Sequence, residues 1–233
     1  MKPQSRDIIH MGVNFVISPP PIINRQNYLG FQQALVSHGI EFANAAYKEP
    51  KIEVAREAPA PLQIMVGVLV PQPLGQLVIV APLPARDLEY FIKETEAVVG
   101  AFDATWPVQQ KQIISCDATL RDLYETTSEH AFKELWETRL GQSPNSLAAF
   151  GRPVWGGGLR FVMPPQPNDP KPVQIEVKIE SFLRDTKKIF VETQFTWPQS
   201  MPPGEPFDPG ARLRQVDKYI EDQVLAFISE EVE

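Results

Sequence analysis

Val173-Gln174-Ile175-Glu176-Val177-Lys178-Ile179-Glu180 is followed, beyond Arg184-Asp185-Thr186, by Ile189-Phe190-Val191-Glu192-Thr193-Gln194-Phe195-Thr196-Trp197. In the first run apolar and polar residues alternate. In the second, Ile189, Val191, Thr193, Phe195 and Trp197 share one parity. Side chains along a strand point alternately to opposite faces, so each run buries one face and solvates the other. Two such runs joined by a polar turn read as a β-hairpin, the clearest in the chain.

Working outward, Leu159 to Met163 forms a short strand before the hairpin, and Leu213 to Ile228 an amphipathic helix after it. Upstream, Gln112 to Tyr124 reads as a strand around Ile113, Ile114, Cys116, Ala118 and Leu120. Ser128 can cap a helix running through Ala131, Phe132, Leu135, Trp136 and Leu140, with Gly141 at its end. The connection Gln142 to Gly158 is long and carries Pro153 and three consecutive glycines.

The earlier part of the chain has the same ingredients. Ile8 to Ile17 is a strand closed by Pro19-Pro20-Pro21. Asn27 to His38 has helical spacing and stops at Gly39. Between Ile40 and Pro59 the pattern is ambiguous, with a short strand around Ile52 and Val54. Leu62, Ile64, Val66, Val68 and Val70 alternate, and Leu77 to Val80 returns as a second strand. Leu88 to Phe102 is a helix with the stripe Leu88, Phe91, Ile92, Thr95, Val98, Val99 and Phe102. Asp87 and Glu89 sit where the helix dipole favours them.

The order of elements is therefore strand, helix, hairpin, helix, twice. Ungapped, Asp87–Phe102 and Arg212–Phe227 agree at six positions: Leu88/Leu213, Lys93/Lys218, Glu96/Glu221, Val99/Val224, Ala101/Ala226 and Phe102/Phe227. The expectation is an α+β protein of two pseudo-repeated strand–helix–hairpin–helix halves. They divide at 1–106 and 107–233, each an antiparallel sheet covered by its own helices, with a groove between them. One integrated domain is the other reading of the same boundaries.

This layout resembles a family of bacterial proteins of similar length with no assigned activity. Gln112 to Asp122, Leu159 to Trp197 and Arg212 to Phe227 carry the likeness. In topology it also looks like the duplicated sheet-and-helix modules that bind small hydrophobic effectors in bacterial regulators. Neither resemblance implies a catalytic residue or a cofactor, and fold alone does not imply function.

Composition narrows the classes. The net charge of -7 and pI near 5.1 speak against nucleic acid, whose binding draws on Lys and Arg against phosphates. The densest basic pairs, Arg152 with Arg160 and Lys187 with Lys188, are not runs. Cys116 stands alone, so no disulfide closes within the chain. No apolar run approaches the ~18 residues of a spanning helix. The expected location is the cytoplasm. The 24 prolines, about twice the usual ~5% share, cluster between elements and mark loops.

No motif commits the chain to catalysis, and no cofactor or metal is expected. Gly156-Gly157-Gly158 leads into a strand, whereas a phosphate cradle opens a helix. His10, His38 and His130 lack ligand spacing, and Cys116 has no neighbouring base. Asp117, Asp122 and Glu125 read as a solvated strand face around Arg121. An unfamiliar enzyme would need His10, Cys116 or these carboxylates to converge.

What remains is a set of aromatic and arginine residues beside proline- and glycine-rich loops, the composition of recognition surfaces. Arg152, Trp155, Arg160 and Trp197 are the candidate binding residues. The functional expectation is a non-enzymatic interaction module that self-associates or joins a complex. The alternative is a binder of a small hydrophobic ligand.

Overall fold

The computed structural model describes residues 1–107, 111–169 and 171–229. In chain order they form β1 (Lys2–Ser18), α1 (Arg25–Ser37), β2 (Asn44–Lys48), β3 (Lys51–Arg56), β4 (Leu62–Leu69), β5 (Leu74–Pro82) and α2 (Leu88–Thr105). Next come β6 (Gln112–Glu125), α3 (Ala131–Lys133), β7 (Gly158–Met163), β8 (Gln174–Ser181), β9 (Lys188–Trp197), α4 (Pro209–Tyr219) and α5 (Leu225–Ser229). Glu134–Arg139 and Ile220–Val224 are π-helical, and Pro144–Phe150 is a 3₁₀ segment.

The expected pair of separate sheets is corrected. All nine strands form one antiparallel sheet in the order β2-β3-β4-β5-β1-β6-β9-β8-β7. The junction is β1 with β6, in register from Lys2↔Glu125 to Ser18↔Gln112 with three register shifts. The physical reason lies in strand length: β1 has 17 residues and β6 has 14. A sheet edge that long exposes a row of unpaired N–H and C=O groups, and each edge satisfies the other. The repeated hairpin is corrected too. The ambiguous stretch after Ile40 supplies β2 and β3, so a four-strand meander precedes α2, while three strands precede α4.

One core runs across the junction. Phe15 of β1 meets Phe207 edge-on at 4.8 Å, and Phe207 meets Phe102 of α2 at 5.8 Å. Burying such a side chain contributes about 1.5–3 kcal/mol. Because Phe207 belongs to the later half and the other two to the earlier, no groove separates them here.

The helices start where their caps dictate. Asp87 Oδ1 accepts the Tyr90 N–H at 2.8 Å, and Asp208 Oδ1 accepts that of Ala211 at 3.1 Å. The buried face of α2 carries the expected Leu88, Phe91, Ile92, Thr95, Val98 and Phe102. Helix α4 packs beside it, and Arg214 grips Glu89 with two bonds of 2.8 and 2.7 Å. A side chain at Gly210 would come within 2.9 Å of Ile92, so the glycine permits that approach. Helix α3 corrects one cap. His130, not Ser128, opens it, its Nδ1 accepting the Phe132 N–H at 3.1 Å.

Candidate functional site

The connection expected at 142–158 folds into one wall of a cleft; α3 and its π-helical continuation form the other. Glu134 fixes the entry to α3: its carboxylate accepts the N–H of Thr127 at 2.7 Å and the hydroxyl of Thr126. Burial opposes its charge, but hydrogen bonds outweigh this and hold it below the usual carboxylate range. Trp136 stacks on Phe132 at 6.0 Å and donates its indole N–H to Ser143 O at 3.3 Å. From there the 3₁₀ segment runs to Gly151, whose φ of +64° lets the chain reverse. The three glycines then let the returning chain lie against its neighbours. A Cβ on Gly156 would sit 2.4 Å from Leu183, and one on Gly158 would sit 2.1 Å from the carbonyl oxygen of Ile179.

The cleft has a volume of about 790 Å³. Phe132, Trp136, Leu147, Ala148, Pro153 and Trp155 supply its apolar surface. Lys133, Arg152 and Glu137 supply its charged groups, two cations against one carboxylate, and His130 and Asn145 add polar ones. Trp155 is 71% exposed, as is Phe150, and Leu183 is 73% exposed. Large exposed apolar side chains gathered beside a concavity mark interaction sites more than scattered ones do.

Of the four residues picked out from the sequence, Arg152 and Trp155 share this cleft. Arg160 lies on β7, clamped to Glu176 of β8 by bonds of 2.9 and 2.8 Å. Trp197 ends β9 inside the core, where the buried Arg212 guanidinium lies 4.8 Å over its ring. Phe132, Trp136 and Leu147 were missed as site residues. Phe132 and Trp136 are four apart, one turn of helix, and that spacing was the available signal.

The residues proposed for unfamiliar catalysis do not converge. Cys116 points into the core; burial pushes its thiol up to about 12, against the pull of nearby Arg212. Its neighbour Asp117 points to the opposite sheet face. There it accepts from Asn14 at 2.7 Å and Gln194 at 3.2 Å, and Gln76 donates to Asn14 at 2.9 Å. His10 lies opposite Arg121 and Asn14 opposite Asp117. Four residues along a strand separate them, roughly 13 Å. Burial, aided by the Arg121 charge, lowers His10 to about 4. Among the described residues no three of His, Cys, Asp and Glu are grouped to hold a metal.

Asp122 corrects the solvated-face reading. It shares parity with Cys116, Ala118, Leu120 and Tyr124, and its side chain is fully buried. Arg6 Nε donates to Asp122 at 2.8 Å and the same guanidinium reaches Asp217 of α4 at 2.7 Å. Burial raises the Asp122 carboxyl to about 6 even against the attraction of Arg6. Arg6 itself is held above its ordinary value, because its carboxylate partners outweigh the burial that opposes its charge. This trio ties the start of β1 to β6 and α4. No helix among the described residues is long and apolar enough to cross a membrane.

No family model matches the chain, and no curated protein matches it. Among solved structures it is similar to DynU16, a protein of the dynemicin biosynthetic locus. The identity is 10% and the TM-score 0.25, over 94% of this chain and 97% of that one. A likeness of that degree transfers neither fold nor function.

Proposed function

We propose that the chain is a non-enzymatic interaction module whose receptor site is the cleft of Trp155. The observation that carries this reading is the exposed Trp155 standing over an apolar cleft of about 790 Å³ with Arg152 and Lys133 at its polar positions. Aromatic residues and arginine dominate binding energy at such surfaces because they bury large area and desolvate few charges. The partner that fits is a protein segment offering one or two large apolar side chains flanked by carboxylates. The apolar groups fill the cleft, and the carboxylates meet Arg152 and Lys133.

A random peptide library displayed on phage, panned in parallel on the wild-type chain and on Trp155→Ser, tests this. The expected result is enrichment of apolar–acidic sequences on the wild type that the variant does not retain. Equal enrichment on both, or none on either, would remove the cleft as the receptor.

A further inference from the structure

The two ends of the sheet differ in how their edges are protected. β2 has five residues, carries Lys48, and is tied to α1 by the Tyr28 hydroxyl, which donates to Ala45 O at 3.1 Å. Lysine on the strand and a covering helix are usual means of discouraging edge pairing; length does not separate the two edges, since β7 has six residues. β7 has neither lysine nor proline in Gly-Leu-Arg-Phe-Val-Met, and its one charge is already clamped to Glu176 across the sheet. Phe161 is 37% exposed and Val162 51%.

The backbone of β7 is equally specific. Ser181 N–H donates to Gly157 O at 3.0 Å, so residues 157 and 181 form a hydrogen-bonded pair. Antiparallel ladders alternate, so Leu159, Phe161 and Met163 turn their N–H and C=O groups to β8. Gly158, Arg160 and Val162 turn theirs to the free edge. On the helix-bearing side, Phe161 meets Phe227 edge-on at 5.3 Å above a groove of about 210 Å³ lined also by Met163, Tyr219 and Val224.

We infer that a second copy of this chain pairs antiparallel with β7 about a twofold axis at Phe161, joining two nine-stranded sheets into one. The register follows from chemistry. Centring on Phe161 places Arg160 opposite the other copy's Val162, and both residues have outward backbone groups, so the ladder continues. Centring on Arg160 would instead set two arginines opposite one another, which is unfavourable. At Phe161 the two copies form a non-hydrogen-bonded pair, whose side chains approach most closely. Both Phe161 rings, each already seated on a Phe227, then form one apolar cluster joining the two grooves. This surface uses none of the residues lining the Trp155 cleft, so peptide binding there and self-association stand or fall separately.

Sedimentation velocity across a dilution series tests the association, and engineered cysteines test the register. The wild type should form a reversible dimer. Val162→Pro removes an outward N–H without touching the β8 ladder. It should weaken the dimer about tenfold or more, through the bond lost from each copy, with an unchanged circular dichroism spectrum. Phe161→Cys should cross-link under mild oxidation, because that pair brings Cα atoms to about 4.5 Å. Val162→Cys should not, because its Cα atoms lie about 9 Å apart across the axis, beyond disulfide reach. A wild type monomeric at every concentration, a dimer indifferent to Val162→Pro, or cross-linking through position 162 rather than 161 would overturn the inference.

Discussion

Asp122→Asn reads the buried cluster through its pH dependence. The carboxyl stands at about 6 in the folded chain against an ordinary 3.8, because burial costs its charge more than Arg6 returns. The native state therefore binds this proton more tightly than the unfolded state. The contribution to stability is complete below pH 3.8 and lost as the pH rises through about 6. At 1.36 kcal/mol per unit, lowering the pH from about 7.5 to about 5 lets Asp122 add on the order of 1 kcal/mol. The wild-type curve alone does not isolate this. His10 has the opposite sign, its folded value depressed to about 4, and it loses stability over part of the same range. The difference between wild type and variant cancels His10, so urea unfolding of both at several pH values is the assay. The gap should shift by on the order of 1 kcal/mol in favour of the wild type over that interval. A gap that stays constant with pH would refute the placement of Asp122 as a buried, protonatable carboxylate.

His10→Gln should gain on the wild type as the pH falls from about 6.5 towards 4, because only the wild type carries a histidine that must stay neutral in the fold. Thermal or urea melts at paired pH values check it. Phe15→Ala should cost about 3–5 kcal/mol, because the ring fills the core at the β1–β6 junction against Phe207; a single cooperative transition is expected to persist. Native Cys116 should resist iodoacetamide at mildly alkaline pH and react once urea unfolds the chain, since its thiol is buried and pushed up to about 12.

The local pattern was legible where one face of an element is buried and the other wet. The alternation of 174–180 and 189–197 produced β8 and β9, and six of the seven stripe positions of α2 are buried, Val99 lying at the edge of that face. Parity also bears on the buried carboxylate. Counting from Cys116 in steps of two reaches Asp122 and Tyr124, which places the carboxylate in the core. Along β9 the parity that Trp197 shares with Ile189, Val191 and Phe195 already set it inward, against its choice as a binding residue. What periodicity could not give is the partner of each edge. Alternation says which face of β1 is buried but is silent on whether its edge meets β6 or solvent, since that pairing spans about a hundred residues of chain. The cleft was half visible. Arg152 and Trp155 stood out as an arginine and an aromatic in a loop, but their company with Phe132 and Trp136 depends on how the 3₁₀ segment returns past α3.

Hydrogen exchange with and without a peptide enriched on the wild type but not on Trp155→Ser tests the central claim most directly. Occupation of the cleft predicts slowed exchange confined to α3, its π-helical continuation and 144–155, with the amides around Asn14 and Asp117 unchanged. Protection on the polar sheet face, or none near Trp155, would contradict it.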